Sequence, residues 1–441
     1  MKPHIQTLSS KLILVSLFDR EINCRRAASA TFQECVGRQG NFPHGIEILT
    51  EADYFTLSNR ANAYLNVSCF VGQYPEYLES MLKYLAFEKL QHCDVTIRVL
   101  ASQALSVLSV FNPELIIKEV LLPLIEKCFS KALHIRHGAI LGVAEIIIGL
   151  SGNSQQSRQE TLDQAFVTLS LKEKAIIKDS ENHQKFKALF DDLSSQNYIT
   201  KLLPAGSEDM AKVKGIITRI EQENLYKGKG GEIMRGGVCH LIWAMSTAKL
   251  DIDTSLKENL FKTLLDNFKQ VNTEIQDEAT RAFKVYCCAY LNGVTAGNNE
   301  PVMQFVHKMI DSSANETNIA MCRGYNMAFG VMSQDMLLLF AGEKLFQVLM
   351  ANCVPKGVDS DDAEARKQTC KSLIQIVETM GLQNINVEIR KQIMETFYTC
   401  FEDYTVDRRG DVGSWVRQEA MVSLNKFINL IVSCNDETII S

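Results

Sequence analysis

The sequence predicts an all-α protein built as an α-α superhelix, a HEAT/armadillo-like repeat solenoid, and three features carry that expectation. Blocks led by arginine recur at a fixed interval: Arg60-Ala-Asn-Ala63, Arg98-Val-Leu-Ala101 and Arg136-His-Gly-Ala139 are spaced by 38 and 38 residues, in the range of two-helix repeats. Each block runs into an apolar stretch whose large residues return at helical spacing. Only 8 prolines interrupt 441 residues, and the frequent Leu, Ala, Glu, Lys, Met and Gln are strong helix formers.

Along the chain, Arg25-Arg-Ala-Ala28 leads the earliest block, 35 residues before Arg60. Later blocks start at Arg235, Arg323, Arg366 and Arg417, with a degenerate copy near Asp277, giving about nine units. One unit shows the design. Residues Leu115 to Phe129 present a wide apolar stripe with Pro123 in its middle, where a kink is expected. A turn at Ser130 follows, and then a second helix carrying Arg136 with the small residues Gly138, Ala139, Gly142 and Ala144. Neither helix can bury its stripe alone, and stacking the pairs makes one continuous core. The period breaks once, between Arg136 and Arg235. The expected organisation is therefore HEAT-type repeats over 1–150, a polar, partly disordered insertion over 151–215 that projects from one face, and further repeats over 216–441. Apolar clusters at Ala165 to Leu169 and Phe186 to Phe190 predict a short helix or two inside the insertion.

Composition excludes several classes. Apolar residues make up 46% and charged residues 22%, so wholesale disorder is ruled out. The net charge is −6, without the basic stripe of a nucleic-acid binder. The 13 cysteines are odd in number and scattered through apolar helical stretches (Cys69, Cys128, Cys239, Cys400), which reads as reduced thiols in a cytoplasmic protein. In that compartment the sequons at Asn66 and Asn315 are chance matches. No apolar run is expected to span a bilayer. The opening Leu12 to Phe18 leads straight into Asp19-Arg-Glu21 without a cleavage site, so it reads as a helix and not a signal core.

Catalytic constellations are missing, and no enzyme, cofactor or metal is expected. His134 and His137 have helical spacing, but Arg136 lies between them and no third ligand is near, so a repeat turn is the better reading than zinc. The loop Tyr226-Lys-Gly-Lys-Gly-Gly-Glu232 lacks the Gly-Lys-Ser/Thr ending and the preceding strand of a phosphate loop. The polar loop from Lys356 to Asp362 lacks a calcium loop's alternating donors and terminal Glu.

Two stretches exceed what a repeat turn needs. Val36 to Phe55 mixes glycines, aromatics and charge. Asp403 to Arg417 holds Trp415, one of 2 tryptophans, beside Arg408 and Arg409. Exposed Trp and Arg are favoured at binding hot spots; the alternative is that both stretches shape ridges between repeats. The partner-binding candidates are Arg38, Phe42, His44, Asp53, Tyr54, Arg408, Arg409 and Trp415. Asp411 precedes Arg417 by six residues, as Asp19 precedes Arg25. Asp19, Arg25, Arg60, Arg98, Arg136, Arg235, Asp411 and Arg417 are accordingly expected to hold the fold.

The same stretches carry a family resemblance. Cys24-Arg-Arg-Ala-Ala-Ser-Ala30, Phe32-Gln-Glu34, Val36-Gly-Arg-Gln-Gly40, Phe42-Pro-His-Gly45 and Ala52-Asp-Tyr-Phe55 resemble the middle of the tubulin-folding cofactor D family. So do Arg136-His-Gly138, Gly230-Gly231 with Met234-Arg235, Asp403-Tyr-Thr405, Arg409-Gly-Asp-Val-Gly413 and Trp415-Val-Arg417, in the family's order. The resemblance implies an internal portion of a non-catalytic HEAT-repeat chaperone. Its implied partners are β-tubulin, the tubulin-folding cofactors C and E, and an Arf-like small GTPase. The implied activity is assembly and disassembly of the αβ-tubulin dimer after the chaperonin, with an accessory role in stimulating GTP hydrolysis by tubulin. The implied location is the cytoplasm, with microtubules or centrosomes as further sites. A general HEAT scaffold, of transport-receptor or phosphatase type, would share the period but not the ordered blocks.

Overall fold

The computed structural model describes residues 2–152, 181–226, 230–291, 300–315, 318–340, 342–356 and 362–434. The Ala165–Leu169 cluster, Lys227–Lys229 of the glycine loop, the Thr317 end of the second sequon and 357–361 of the acidic loop lie outside them. Among the described residues the structure is helical but for one two-stranded hairpin, Val406–Asp407 with Gly410–Asp411. Most helices fall into consecutive pairs with a first and a second member, with Glu181–Ser194, Ile199–Leu202 and Gln334–Phe340 set between pairs. Among the described residues nine second helices follow in order, each carrying within its first five residues one that the repeat pattern singles out: 22–39, 60–72, 95–108, 133–150, 231–247, 273–290, 319–330, 363–380 and 413–433. The chain divides into two compact units, residues 1–252 and 253–441.

In the first unit, the second helices stack on one another. Leu133–Leu150 packs between Val95–Leu108 and Gly231–Thr247. Its small residues decide how close it comes: a Cβ on Gly138 would sit 1.7 Å from the Leu90 carbonyl oxygen, so only glycine fits. Leu133–Leu150 is long and apolar enough to cross a membrane, against the expectation of no such run. It is a core helix instead, with 83% of it buried in protein. Pro123 follows a π-helical turn, Ile117–Leu121. Proline has no N–H to give the carbonyl four residues back, and the wider turn takes up that break.

The stretch expected to project as an insertion does not do so in its described part. Glu181–Ser194 lies against the repeats, with the Phe186 ring 5.2 Å from Phe70 and the Phe190 ring 6.1 Å from Phe111. Glu208–Gln222 then packs on Leu122–Lys127, its start capped by the Ser207 hydroxyl, which accepts from the Met210 N–H at 3.2 Å. The apolar spacing Met210, Val213, Ile216, Ile217, Ile220 makes it amphipathic, and all five side chains are buried.

In the second unit, the pairs are Thr254–Phe268 with Thr273–Tyr290, Glu300–Asn315 with Ile319–Gly330, Glu343–Cys353 with Ala363–Met380, and Val387–Cys400 with Gly413–Ser433. Asn272, Asn318 and Asp362 cap three of the second helices with their side-chain oxygens. Gly324 repeats the logic of Gly138, since a Cβ there would lie 2.0 Å from the Phe268 carbonyl oxygen.

Candidate functional site

The repeat arginines are anchors between turns. Arg25 is 2% exposed. Its guanidinium donates to the Asp19 and Arg20 carbonyls of its own turn and to the Leu57 and Ser58 carbonyls of the next, at 2.9–3.1 Å. Arg98 bonds the His92 and Cys93 carbonyls of its own turn at 2.7 and 2.8 Å and reaches the next repeat through Nε, which donates to His137 Nδ1 at 3.2 Å. Arg136 bonds the Ser130 carbonyl at 2.8 Å and the Leu225 carbonyl at 3.3 Å. Burial lowers the pKa of Arg25, Arg98 and Arg136; carbonyl dipoles, not carboxylates, compensate most of the charge. Arg60 reaches the Arg20 carbonyl at 3.2 Å, and half-buried Arg235 lies over the Tyr226 ring at 4.8 Å.

Carboxylates take over this role in the second unit. Arg323 bonds Gln276 Oε1 at 2.7 Å, Asp362 at 3.0 Å and the Val271 carbonyl at 2.8 Å. Arg366 and Asp403 form a pair at 2.9 Å with side chains only 3% and 1% exposed. The degenerate copy near Asp277 resolves to its neighbour: buried Gln276 fills the arginine's place, its amide donating to the Phe268, Gln270 and Ala320 carbonyls at 2.7–2.8 Å. An Arg-based search passes over it, yet its spacing from Arg235 and Arg323 is that of a repeat.

The structure separates the partner-binding candidates. Phe42 is corrected to the core: it is 6% exposed and its ring lies 5.1 Å from Phe32, because the turn after Gly40 folds it back onto its own helix. Asp53 is corrected to a turn residue, its carboxylate accepting from the Phe55 and Thr56 N–H groups at 2.8 and 2.7 Å. Arg38, His44 and Tyr54 are exposed. Arg38 pairs with Glu34, the His44 ring stacks on Tyr74 at 4.1 Å, and Tyr54 holds the Arg26 guanidinium 3.8 Å above its ring. Asp19 caps the Glu21 N–H at 2.8 Å with its side chain and meets Arg25 only through its carbonyl. Asp411 accepts from the Ser414 N–H at 3.1 Å and from Arg417 at 2.6 and 3.2 Å.

Arg408 and Arg409 sit at the tip of the hairpin. Arg409 is clamped to Asp407 at 2.6 and 2.9 Å and lies 5.0 Å over the Trp415 indole. Together Arg409 and Trp415 form the rim of a cleft of about 350 Å³, inside the range of ligand pockets. Three successive second helices each line it with two residues one turn apart, Thr273 and Asp277, Arg323 and Met327, Glu364 and Gln368, with Asp362 beside them and Trp415 supplied by a fourth, Gly413–Ser433. Sequence reasoning found its rim but missed its floor, because residues from three repeats converge only after stacking. Asp277 has its carboxyl pKa raised, first by desolvation in the cleft and then by the nearby Glu364 and Glu278, against the opposing pull of Lys371 and Arg323.

A family model described as "Tubulin-specific chaperone D-like, ARM repeats" matches residues 1–46. Tubulin-specific chaperone D from Dictyostelium discoideum is 26% identical across 98% of this chain, which covers 32% of that protein. The chain is thus similar to tubulin-specific chaperone D along nearly its whole length. Tubulin-folding cofactor D from Schizosaccharomyces pombe is 33% identical over 26% of this chain and 10% of its own length. The chain thus spans about a third of the first of these relatives and a tenth of the second. Among solved structures, importin beta superposes with a TM-score of 0.40 at 12% identity, covering 96% of this chain and 51% of its own.

Proposed function

We propose that this chain is a non-catalytic tubulin-folding chaperone module. It binds β-tubulin and takes part in assembly and disassembly of the αβ-tubulin dimer after the chaperonin, alongside cofactors C and E and an Arf-like small GTPase, in the cytosol. Stimulation of GTP hydrolysis by tubulin is an accessory role of that complex. The observation that carries this reading is similarity to tubulin-specific chaperone D across 98% of the chain. A stacked-repeat architecture supports it, since stacked second helices offer the long surface that a protein partner needs. The test is retention of purified αβ-tubulin on the immobilised chain, in competition with a full-length family member. Saturable retention, weaker than that of the longer protein because affinity accumulates along a solenoid's face, is expected. Retention of transport cargo or phosphatase subunits from cytosol, with no tubulin, would overturn the proposal.

A further inference from the structure

We infer that this chain associates with itself head to tail, the outer face of Gly413–Ser433 stacking on the outer face of Ile22–Gln39 of a second copy. The inference stands apart from tubulin binding and rests on how the second helices already stack. Each presents two rows of side chains, counted from its repeat arginine. Positions four, eight and eleven residues on face the following repeat, and positions two, six and thirteen residues on face the preceding one. In the first unit, a Cβ on Gly237, two past Arg235, would lie 3.7 Å from Ile140, four past Arg136. Gly149, thirteen past Arg136, lies against Ser106 and Ser109, eight and eleven past Arg98. In the second unit, the Ser423 hydroxyl, six past Arg417, donates to the Cys370 carbonyl, four past Arg366, at 3.4 Å.

The forward row is buried inside the array: Ile140, Ala144 and Ile147 on one helix, Cys370, Ile374 and Val377 on another. On Gly413–Ser433, after which no second helix follows among the described residues, the same row is Met421, Asn425 and Ile428. Met421 is 55% and Ile428 42% exposed, with exposed Val432 one turn further. Beside them Gln418 is uncharged, and Lys426 is held by Glu378 at 3.4 Å. A solvated end repeat needs a polar outer face, and this apolar stripe does not supply one. The backward row of Ile22–Gln39 is Ala27, Thr31 and Arg38, all exposed, with exposed Ala30 between them. Arg38 is already paired with Glu34. Large side chains at one end and small ones at the other repeat the fit of Ile140 on Gly237. Two forward faces set against each other would leave Ala27 and Thr31 uncovered. The two faces differ, so the contact is heterologous and does not stop at two chains.

The test is sedimentation velocity of the full chain, kept reduced, from micromolar to hundred-micromolar concentration. The mean mass is expected to rise with concentration past that of two chains. Met421→Asp with Ile428→Asp blocks the forward face, and Ala27→Glu with Thr31→Lys blocks the backward one. Each doubly substituted chain is expected to stay monomeric over the whole range, with melting nearly unchanged because all four side chains are exposed. Mixed in equal amounts, the two variants still own one intact face each, of opposite kind. They are expected to form a species of two chains and none larger, which a misfolded variant could not do. An unaltered chain that is monomeric throughout, growth that either pair of substitutions leaves in place, or a mixture that stays monomeric would overturn the inference. Association of the unaltered chain that stops at two copies would overturn it as well, since that is the behaviour of a face paired with itself.

Discussion

Asp403→Ala is the substitution that most directly tests how the second unit holds together. The carboxylate is 1% exposed and bonds Arg366 Nε at 2.9 Å, while its other oxygen accepts from the Thr405 N–H at 3.1 Å and hydroxyl at 2.7 Å. Arg366 is itself 3% exposed and also bonds Thr405 Oγ1 at 3.1 Å. Removing the carboxylate breaks a buried ion pair from one side, which costs about 3–5 kcal/mol. Replacing both partners, Arg366→Met with Asp403→Leu, removes both buried charges and is expected to recover most of that loss. Burial pushes the Asp403 carboxyl up, but the bonds from Thr405 and Arg366 outweigh it and leave its pKa below the usual 3.8. Its folded pKa being depressed, the contribution is complete above the ordinary carboxylate range and is lost as pH falls through the lowered value. Urea unfolding followed by circular dichroism measures the loss. Hydrogen exchange in Ala363–Met380, which carries Arg366, and in Val387–Cys400, whose following turn carries Asp403, localises it. A loss under about 1 kcal/mol, or a double variant no better than Asp403→Ala, would refute the reasoning.

Three further outcomes follow from the same packing. Gly138→Ala drives a Cβ into the Leu90 carbonyl and is expected to cost ~3 kcal/mol, whereas Gly236→Ala, with nothing within 4 Å, is expected to gain about 1 kcal/mol from helix propensity in the same urea experiment. His137 has its pKa held down to about 3 by burial, Arg98 and His240, so stability is complete above the ordinary value near 6.5 and falls as pH drops towards 3; His137→Gln is expected to flatten melting temperature against pH in that window. Asp411→Ala removes both a cap and the Arg417 partner and is expected to lower the melting temperature by less than Asp403→Ala, while Arg408→Ala with Arg409→Ala leaves melting nearly unchanged and weakens tubulin retention.

Much of this architecture is legible in the sequence because it is local. The 3.6-residue stripe, the scarcity of proline and the arginine period are properties of short windows, and they place the second helices without reference to any contact. The caps Asn272, Asn318 and Asp362 are equally local, since each serves an amide two or three residues on. Burial of aromatic loop residues is not local. Phe42 reads as an exposed hot spot until its turn folds it onto Phe32, and Phe186 reads as part of a projecting insertion until Phe70 and Phe111 receive it. The hairpin shows the boundary within one motif: sequence isolates Arg409 and Trp415, but the floor beneath them comes from residues 40 to 140 positions away.

By itself, then, the sequence determined the helices, their pairing, the repeat phase and the family blocks that mark the turns. Tertiary structure decided what each anchor holds. Arg25 bonds carbonyls 32 and 33 residues away and Arg136 one 89 residues away, while the place of an arginine is taken at Gln276 by an amide. The reason is physical: a buried guanidinium requires acceptors, but any well-placed carbonyl, carboxylate or amide oxygen satisfies it, and which one lies within 3 Å is fixed only when the helices stack.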